Sequence, residues 1–350
     1  MSLPCGIRNY SYATDTAIVR TRTHWVLLIG FMVILFTAPL YLSNYWMGVF
    51  NFIGISLIAA MGLNILTGYC GQLSIGHAGF IAVGAYTSAI LTTRFEMPFL
   101  VGLIVAGIMA GLVGIVFGLP SIRVKGFYLA ITTIAAQFII MWVINQWGWT
   151  GGQLGMSVPA ASIGGYVFRS GQSQFYLIIA ITVLCVFLAL NLTRTKVGRA
   201  FIAIRDNDLA AEVMGINPTY YKLLAFFIGC FFAGIAGSLF AHWNIYLTPE
   251  QFSFRDSILY VGIIIIGGLG TNIGPILGVL FIRLLQQFLT INVVPFLENT
   301  LTMLSSGFAS GVTPMIFGLV IVLFLILEPR GLAHRWTLFK ASYRLWPFSY

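Results

Sequence analysis

Residues 25–93, WVLLIGFMVILFTAPLYLSNYWMGVFNFIGISLIAAMGLNILTGYCGQLSIGHAGFIAVGAYTSAILTT, decide the fold, because these 69 consecutive positions hold no Asp, Glu, Lys or Arg. One crossing of the roughly 30 Å hydrocarbon core of a bilayer takes about 20 apolar residues, so this stretch has room for three crossings. A segment in lipid must satisfy its own backbone hydrogen bonds, and the apolar runs lack the alternation of a membrane barrel. The sequence therefore predicts an all-α, polytopic membrane protein.

The composition of the whole chain supports this fold class. Of 350 residues, 59% are hydrophobic and 8% are charged, whereas a soluble domain carries about 25% charged residues. This deficit excludes a soluble enzyme, a disordered tail protein and a nucleic-acid reader. The cysteines at 5, 70, 185 and 230 are too far apart in sequence for a metal knuckle or a redox pair, so we interpret them as reduced packing residues and expect no metal site.

Further charge-free runs can each hold a span. They cover residues 97–122, 126–168, 170–193, 223–249, 257–282 and 299–327. Turn and polar signals then predict helices near 25–43, 49–67, 73–93, 98–119, 126–147, 174–193, 222–243, 257–290 and 308–327.

The positions of the basic residues predict the orientation of these helices. Lys and Arg are enriched in cytoplasmic loops, and four regions of this chain hold 14 of the 18 basic residues: the arm 1–24, the loop 120–125, the loop 194–222 and the tail 328–350. We expect all four in the cytoplasm, which makes both termini cytoplasmic and leaves residues 94–97, 148–173 and 244–256 outside. A single span at 257–290 would then put the basic tail on the wrong side.

A break inside the span 257–290 would add one membrane crossing and return the basic tail to the cytoplasmic side. The sequence GGLGTNIGP at residues 267–275 favours two short arms, 257–267 and 275–290, and brings the total to about ten segments, some of them broken or re-entrant. Short segments interrupted by Gly and Pro often present backbone polar groups to a cavity. The alternative is a flexible hairpin that allows close helix packing. The transmembrane domain is predicted at 25–327.

The loop 194–222 is predicted to be structured, since it holds 8 of the chain's 27 charges. Val197–Ile204 has helical composition, Asp206-Asn207-Asp208 supplies an N-cap, and a short helix follows over Leu209–Met214. Gly215 and then Asn217-Pro218 end it. A solvated basic loop is the simpler alternative, but small and apolar residues on a short exposed helix favour docking into a groove of a partner.

A second polar segment lies at the glycine-rich stretch 68–80. Its glycines permit a broken helix or close backbone approach, and Ser74 and His77 are polar groups at the edge of the membrane. His77 suggests either a proton relay or a structural hydrogen bond, and the absence of an intramembrane carboxylate partner favours the structural role. Gln137 and Arg283 are further candidates for polar groups at depth, although Arg283 alternatively snorkels to an interface.

One further motif is weak, and the common nucleotide-binding and zinc-protease motifs are absent from the sequence. The outer loop 148–173 carries Thr150-Gly151-Gly152, which we interpret as an outer cap or a partner contact. The sequence has no G-x-x-x-x-G-K-[ST] phosphate loop and no H-E-x-x-H motif. The chain is therefore not expected to hydrolyse ATP by itself or to act as an enzyme.

These motifs together resemble the LivM-type permeases of branched-chain amino-acid ABC transporters. The resemblance rests on GQLSIGHAGF at 71–80 with Gly84-Ala85-Tyr86, on Thr150-Gly151-Gly152, on the segment from Gly198-Arg199 to Met214-Gly215-Ile216, on Gly267–Thr271 with Gly274-Pro275, and on Glu328–Leu332. It covers nearly the whole chain.

The resemblance implies an importer of the bacterial inner membrane. This chain would pair with a LivH-type permease, two ATPase subunits that bind ATP and Mg, and a periplasmic or surface-tethered binding protein, with no cofactor of its own and no nucleic acid. Leucine, isoleucine and valine are transported in the family, and relatives take urea, short amides or other amino acids. An ion-coupled secondary transporter or a channel for small polar solutes is the alternative.

The resemblance also implies roles for individual residues. A short coupling helix would sit in a groove of the ATPase, with Arg199 and Arg205 as charged contacts and Ala210, Ala211 and Met214 as the apolar anchor. The full predicted coupling set is Arg199, Ile204, Arg205, Asp206, Asp208, Ala210, Ala211, Glu212, Met214 and Gly215. Independently of the resemblance, the two glycine-rich breaks are predicted to line the translocation path, because their backbone groups can serve a zwitterion without a buried charge. The predicted path residues are Gly71, Ser74, His77, Gly79, Gln137, Gly268, Gly270, Thr271 and Gly274.

Overall fold

The computed structural model describes residues 22–124, 126–293, 295, 306–328 and 330–345, and this part of the chain is mostly helical. Its α-helices are α1 (Arg22–Thr37), α2 (Asn44–Leu63), α3 (His77–Arg94), α4 (Phe99–Gly118), α5 (Phe127–Gln146), α6 (Gly171–Arg194), α7 (Lys196–Asp206), α8 (Asp208–Val213), α9 (Pro218–Asn244), α10 (Phe254–Gly267), α11 (Gly274–Phe288), α12 (Ser306–Leu327) and α13 (Leu332–Leu345). The predicted arm 1–24 lies almost wholly outside the described residues.

The prediction of a purely helical chain needs a small correction. Two pairs of two-residue strands are present: β1 (Met156–Ser157) pairs with β4 (Tyr246–Leu247), and β2 (Ser162–Ile163) pairs with β3 (Tyr166–Val167), both antiparallel. These strands lie in the polar connections between long helices, where backbone groups freed from helices find partners in each other.

Within the described residues, six helical segments are long and apolar enough to cross a membrane. They cover residues 44–69, 99–122, 127–146, 171–194, 218–244 and 274–292, and shorter apolar helices lie at 25–40 and 314–324. The predicted interruption after Gly267 is confirmed, since α10 ends there and α11 begins at Gly274. The helix predicted to start at residue 73 begins only at His77. The tail forms the helix α13, which the sequence analysis had not predicted.

The connections gather at two ends of the helical bundle. One end holds four connections: the start of α5, the loop that carries α7 and α8, the α10–α11 break and the start of α13. Gly126 and Arg205 line one cleft there, and Gly331 approaches Gly268. At the other end, β1 pairs with β4, and Trp149 lies against Phe95 and Arg94. Three of the four basic regions are therefore at one end.

Helix α9 forms the centre of the bundle, and glycines set its close packing against α2, α3 and α4. Gly107, Gly111, Gly114 and Gly118 lie on one face of α4, directly against Phe and Cys side chains of α9. Small residues let helix backbones approach closely in lipid, where van der Waals contact is the main source of association. Gly237 of α9 faces the backbone of α3 at Ile81 and Ala85 in the same way.

We expect Gly237→Val to destabilise the bundle, because even the first carbon of a side chain there would overlap the Ile81 carbonyl oxygen. Overpacking of this kind costs about 1–3 kcal/mol, which corresponds to a fall of roughly 5 °C in the unfolding midpoint. The measurement is thermal unfolding followed by a thiol-reactive dye, since Cys70, Cys185 and Cys230 are all buried. Gly48→Val is the matched control, because nothing lies within 4 Å of its Cβ position. Equal midpoints for the two variants would contradict this packing.

Candidate functional site

The segment between α6 and α9 folds as the two capped helices that the sequence predicts, and we call residues 195–217 the knob. Thr195 caps α7, and the Asn207 side-chain oxygen accepts hydrogen bonds from the backbone amides of Leu209 and Ala210, both at 3.1 Å. Gly215 then adopts a φ of +83°, which suits glycine because it has no Cβ. Asn217 starts the next helix by capping α9 through the Tyr220 amide at 3.2 Å.

The predicted coupling residues fall on two sides of the knob. Arg199, Arg205, Asp206, Ala210, Glu212, Met214 and Gly215 are exposed, Asp208 is half-buried, and Ile204 and Ala211 are buried. Ala211 is 4% exposed and packs inside the knob, and its predicted contact with a partner stays a prediction. The apolar tip instead consists of Leu209, Val213 and Met214, which are 69%, 87% and 81% exposed.

Two charged contacts attach the knob to the bundle. The buried Lys222 ammonium of α9 lies 3.4 Å from Asp208 at the start of α8, where a carboxylate is also favoured by the helix dipole. At the end of α7, Arg205 donates from Nε and Nη2 to the Asp206 carboxylate at 3.0 and 2.9 Å. Its remaining nitrogen, Nη1, donates to the Gly68 carbonyl oxygen at 3.0 Å. The planar guanidinium is thus held by three hydrogen bonds.

The contact with Gly68 lies where two helix breaks meet, and we call this group of residues the junction: Asn64, Gly68, Tyr69, Arg205, Gly270, Thr271 and Asn272. The first break follows a π-helical turn over Asn64–Tyr69, and such turns are frequent at functional sites. The Asn64 side chain accepts from the Gly270 amide at 2.9 Å and donates to the Thr271 carbonyl oxygen at 3.0 Å. The Tyr69 hydroxyl donates to the Asn272 side chain.

Glycine is required at the junction for both space and conformation. A Cβ on Gly68 would overlap the Asn64 side chain and the Gly270 amide, and a Cβ on Gly270 would lie 2.7 Å from Arg205 Nη1. Gly71 and Gly270 also have φ values of +72° and +67°. The two glycine-rich breaks are therefore packed closely against each other, and Arg205 joins the first of them to the knob.

The predicted path residues separate into an accessible group and a buried group. Gly71 is exposed and Gly270 and Thr271 are half-buried; Gly71 lines an open cleft of about 310 Å³ beside Arg205 and Lys222. Ser74, His77, Gly79, Gln137, Gly268 and Gly274 are buried. The lining of the cleft does not include these buried residues.

The buried group forms a hydrogen-bonded contact between α3, α5 and α10. Ser257 donates to the Gln137 side-chain oxygen at 2.6 Å and accepts from the Ala78 amide at 2.8 Å, so the start of α3 is held by both neighbouring helices. His77 Nε2 lies 3.0 Å from the Ala59 carbonyl oxygen, which is the structural role that the sequence favoured. His77 Nδ1 and Ser74 Oγ are buried without a hydrogen-bond partner.

Arg283 lies inside the bundle, so the snorkelling alternative does not hold. Its guanidinium lies 4.1 Å from the ring centroid of Phe52 and donates to Ser56 at 3.1 Å and to Gln286 at 2.9 Å. A cation over an aromatic face is stabilised by the ring quadrupole, more strongly where water is excluded.

At the opposite end, the Thr150 side chain holds the start of the loop 148–173 and is not available as a surface. It is buried, and its hydroxyl donates to the carbonyl oxygens of Ile144 at 2.6 Å and Trp147 at 2.5 Å. Gly151 is exposed and Gly152 is half-buried. Among these three residues, the glycines are thus the ones available to a partner.

Four residues of the site were not predicted from the sequence as site residues: Asn64, Lys222, Ser257 and Asn272. Asn64 carried a signal, since it is a lone amide in an apolar run four residues before Gly68. The other three are hydrogen-bonded to residues 14 to 203 positions away in the sequence: Lys222 to Asp208, Ser257 to Gln137 and Asn272 to Tyr69. Nothing in their local sequence reveals those pairs. Among the described residues, no group of three or more His, Cys, Asp or Glu side chains is placed to hold a metal ion.

Comparison with known proteins assigns the chain to a family. A protein-family model described as "Branched-chain amino acid transport system / permease component" matches residues 45–327. The chain belongs to this permease family. The part of the chain that the structure describes holds six long apolar helices, and the permease is a multi-pass membrane component of an ABC importer. Its relatives are transport subunits rather than enzymes.

Named relatives agree with this assignment. The permease is 30% identical over 330 residues to the high-affinity branched-chain amino acid transport system permease protein LivM of Escherichia coli K12, covering 87% of this chain and 74% of the relative. A probable branched-chain amino acid transport permease protein LivM of Methanocaldococcus jannaschii is 26% identical over 319 residues, with 80% and 90% covered. The autoinducer 2 import system permease LsrC of Salmonella paratyphi B is 30% identical over 157 residues, with 42% and 44% covered. No solved structure matches the permease.

Proposed function

We propose that this permease carries branched-chain amino acids, or a related amino acid, urea or amide, across the bacterial inner membrane with energy from partner ATPases. The observation that carries the proposal is the knob: a capped helix pair with an exposed apolar tip, joined by Arg205 to the helix break at Gly68. A surface of this kind suits docking to a soluble subunit. Its direct connection to interrupted membrane helices suits the transmission of movement.

The proposed topology has about ten membrane segments with both termini in the cytoplasm. It adds α1, α3, α10 and α12 to the six long apolar segments and divides the chain into an arm at 1–24, a transmembrane domain at 25–327 and a tail at 328–350. The gathering of three basic regions at the knob end supports it, because short cytoplasmic loops are rich in Lys and Arg. The short helices α10 and α11 then form a hairpin that opens at the opposite end from the knob.

The proposed partners follow from the same arrangement. A LivH-type permease lies beside this chain in the bilayer, and two ATPase subunits with ATP and Mg lie below the knob. A periplasmic or surface-tethered binding protein docks at the outer end, where Gly151 and the 83% exposed Leu154 are available. The chain itself holds no cofactor.

In the proposed mechanism, movement of the knob is transmitted to the junction. When ATP closes the ATPases, α8 moves with them, and Arg205 transfers the movement to Gly68 and, through Asn64, to Gly270 and Thr271. A ligand shifts a conformational equilibrium only through different affinities for the two states. The knob must therefore fit the ATP-bound and ATP-free ATPases differently.

Co-purification tests the assignment of partners. The tagged permease, extracted from its native membrane, is expected to bring down two ATP-binding subunits and a second permease in stoichiometric amounts. An ion-coupled transporter or a channel would come down without ATPases, and that result would overturn the proposal.

The accessible group at the junction is our proposed inner end of the translocation path. Cysteine at 71 or 270 would strain the backbone, since both glycines have positive φ, so Thr271→Cys is the suitable probe. We expect a water-soluble thiol reagent to label Thr271→Cys at a rate that changes at least about two-fold between ATP-bound and ATP-free transporter, with Ser342→Cys on the exposed part of α13 as the unchanging control. Equal rates in both states would contradict this placement.

Substrate identity is best read from the binding protein, because selectivity in importers of this kind resides largely there. Titration of that partner with leucine, urea and short amides distinguishes the candidates. We expect a branched-chain amino acid to bind most tightly, and tight binding of urea or an amide alone would redirect the assignment.

A further inference from the structure

A second cavity at the knob end shares Thr271 with the proposed translocation path, but its basic side chains have no role in the proposed transport mechanism. It has a volume of about 470 Å³ and lies between the α10–α11 break and helix α13. The break contributes Thr271 and Asn272, and α13 with its preceding turn contributes Arg330, His334 and Lys340. We call this cavity the basic pocket.

The charged side chains that line the basic pocket are all positive. Arg330, His334 and Lys340 are the ionisable residues of its lining, and no Asp or Glu belongs to that lining. Glu328 is close in sequence but is paired with Arg335, which is not a lining residue. Two cationic groups, an imidazole and the polar side chains of Thr271 and Asn272 converge on one space, and this combination suits a phosphate group.

The walls of the pocket indicate where that phosphate comes from. Its apolar side is formed by Ile265 in α10 and by Leu269 and Ile273 of the break. Leu269 and Ile273 are 46% and 40% exposed. On α13, Trp336 and Phe339 are exposed and stacked on each other, and the Lys340 ammonium lies 5.3 Å from the Trp336 ring centroid. Trp side chains are enriched at the interface between lipid and water, and basic side chains there are attracted to anionic lipids.

We propose that the basic pocket binds the headgroup phosphate of an anionic phospholipid, with an acyl chain along Ile265, Leu269 and Ile273. Basic pockets next to membrane helices on the cytoplasmic side bind acidic headgroups in this way. The bound lipid would join α13 to the α10–α11 break and thereby stabilise the break.

Lipid retention by the purified full-length chain tests this proposal without any partner subunit. Native mass spectrometry in a non-ionic detergent measures the affinity for dioleoyl-phosphatidylglycerol and, in a separate arm, for dioleoyl-phosphatidylcholine. We expect clear preference for phosphatidylglycerol. The double variant Arg330→Gln/Lys340→Gln should lower its affinity by about 25-fold, since each basic residue near an anionic lipid contributes about five-fold. The variant Arg330→Lys/Lys340→Arg should retain it.

The control variant removes the same charge at the same end of the bundle. Arg123→Gln/Lys196→Gln alters two exposed residues outside the pocket lining and should change the affinity less than two-fold. Equal losses in both double variants, or equal binding of phosphatidylcholine, would overturn the proposal. Displacement of the lipid by soluble glycerol phosphate at the same concentration would instead assign the pocket to a water-soluble phosphate and also overturn it. The thiol-dye unfolding midpoint shows whether each variant is folded.

Discussion

Replacing Arg205 with alanine is expected to reduce ATP-driven uptake about ten-fold or more while ATP hydrolysis by the assembled transporter continues. The variant removes the hydrogen bond from Nη1 to the Gly68 carbonyl oxygen, and hydrogen bonds to charged groups are worth about 1.5–3 kcal/mol. The break at Gly68 would then no longer follow the knob. The measurement is the number of substrate molecules transported per ATP hydrolysed in vesicles.

Two controls separate coupling from damage to the fold. Lys196→Ala removes an exposed cation at the start of the same helix and should leave the transport ratio near that of the unmodified protein. Co-purification of the ATPases with Arg205→Ala should also be unchanged, because the apolar tip of the knob is intact. An Arg205→Ala transporter with a normal ratio of transport to hydrolysis would show that the junction does not carry the coupling.

The double variant Val213→Asp/Met214→Asp is expected to abolish assembly with the ATPases. Both side chains are more than four-fifths exposed, so the substitutions should leave the fold of the permease unchanged. In a docked complex they would lose about 3 kcal/mol or more of apolar burial, which is roughly a hundred-fold in affinity. The readout is the amount of ATPase recovered with the tagged permease.

Leu154→Asp is the matched control for that experiment. Leu154 is 83% exposed but lies in the outer loop at the opposite end of the bundle. It should leave ATPase recovery unchanged. Full recovery with Val213→Asp/Met214→Asp would mean that the ATPases dock on another surface.

Much of this arrangement follows from local sequence signals. Charge-free runs predicted the long helices, and the excess of basic residues on one side exposed the need for a break near Gly267, which the structure places between α10 and α11. The caps of the knob were equally readable, since Asn207, Gly215 and Pro218 act within a few residues of their own positions. Helix caps depend on hydrogen bonds and backbone conformation within a few residues of the helix end.

The remaining features depend on contacts between distant residues. Ala211 belongs to a short helix whose composition does not reveal which face packs inward, so its burial required the position of α8 on the bundle. Arg205 was recognised as a charged residue of the knob, but its bond to Gly68 joins positions 137 residues apart. For Arg283 the sequence left two alternatives, a polar group at depth or an arginine that snorkels, because its partners Phe52 and Ser56 lie on another helix.

The energy source of uptake is the most direct test of the account. The permease, assembled with its partners in sealed vesicles, is supplied either with ATP on the ATPase side or with a proton or sodium gradient, and accumulation of labelled leucine is measured with the binding protein present. We predict accumulation that requires ATP, is unaffected by collapse of the gradients and is lost in Arg205→Ala. Accumulation driven by an ion gradient in the absence of ATP would contradict the account.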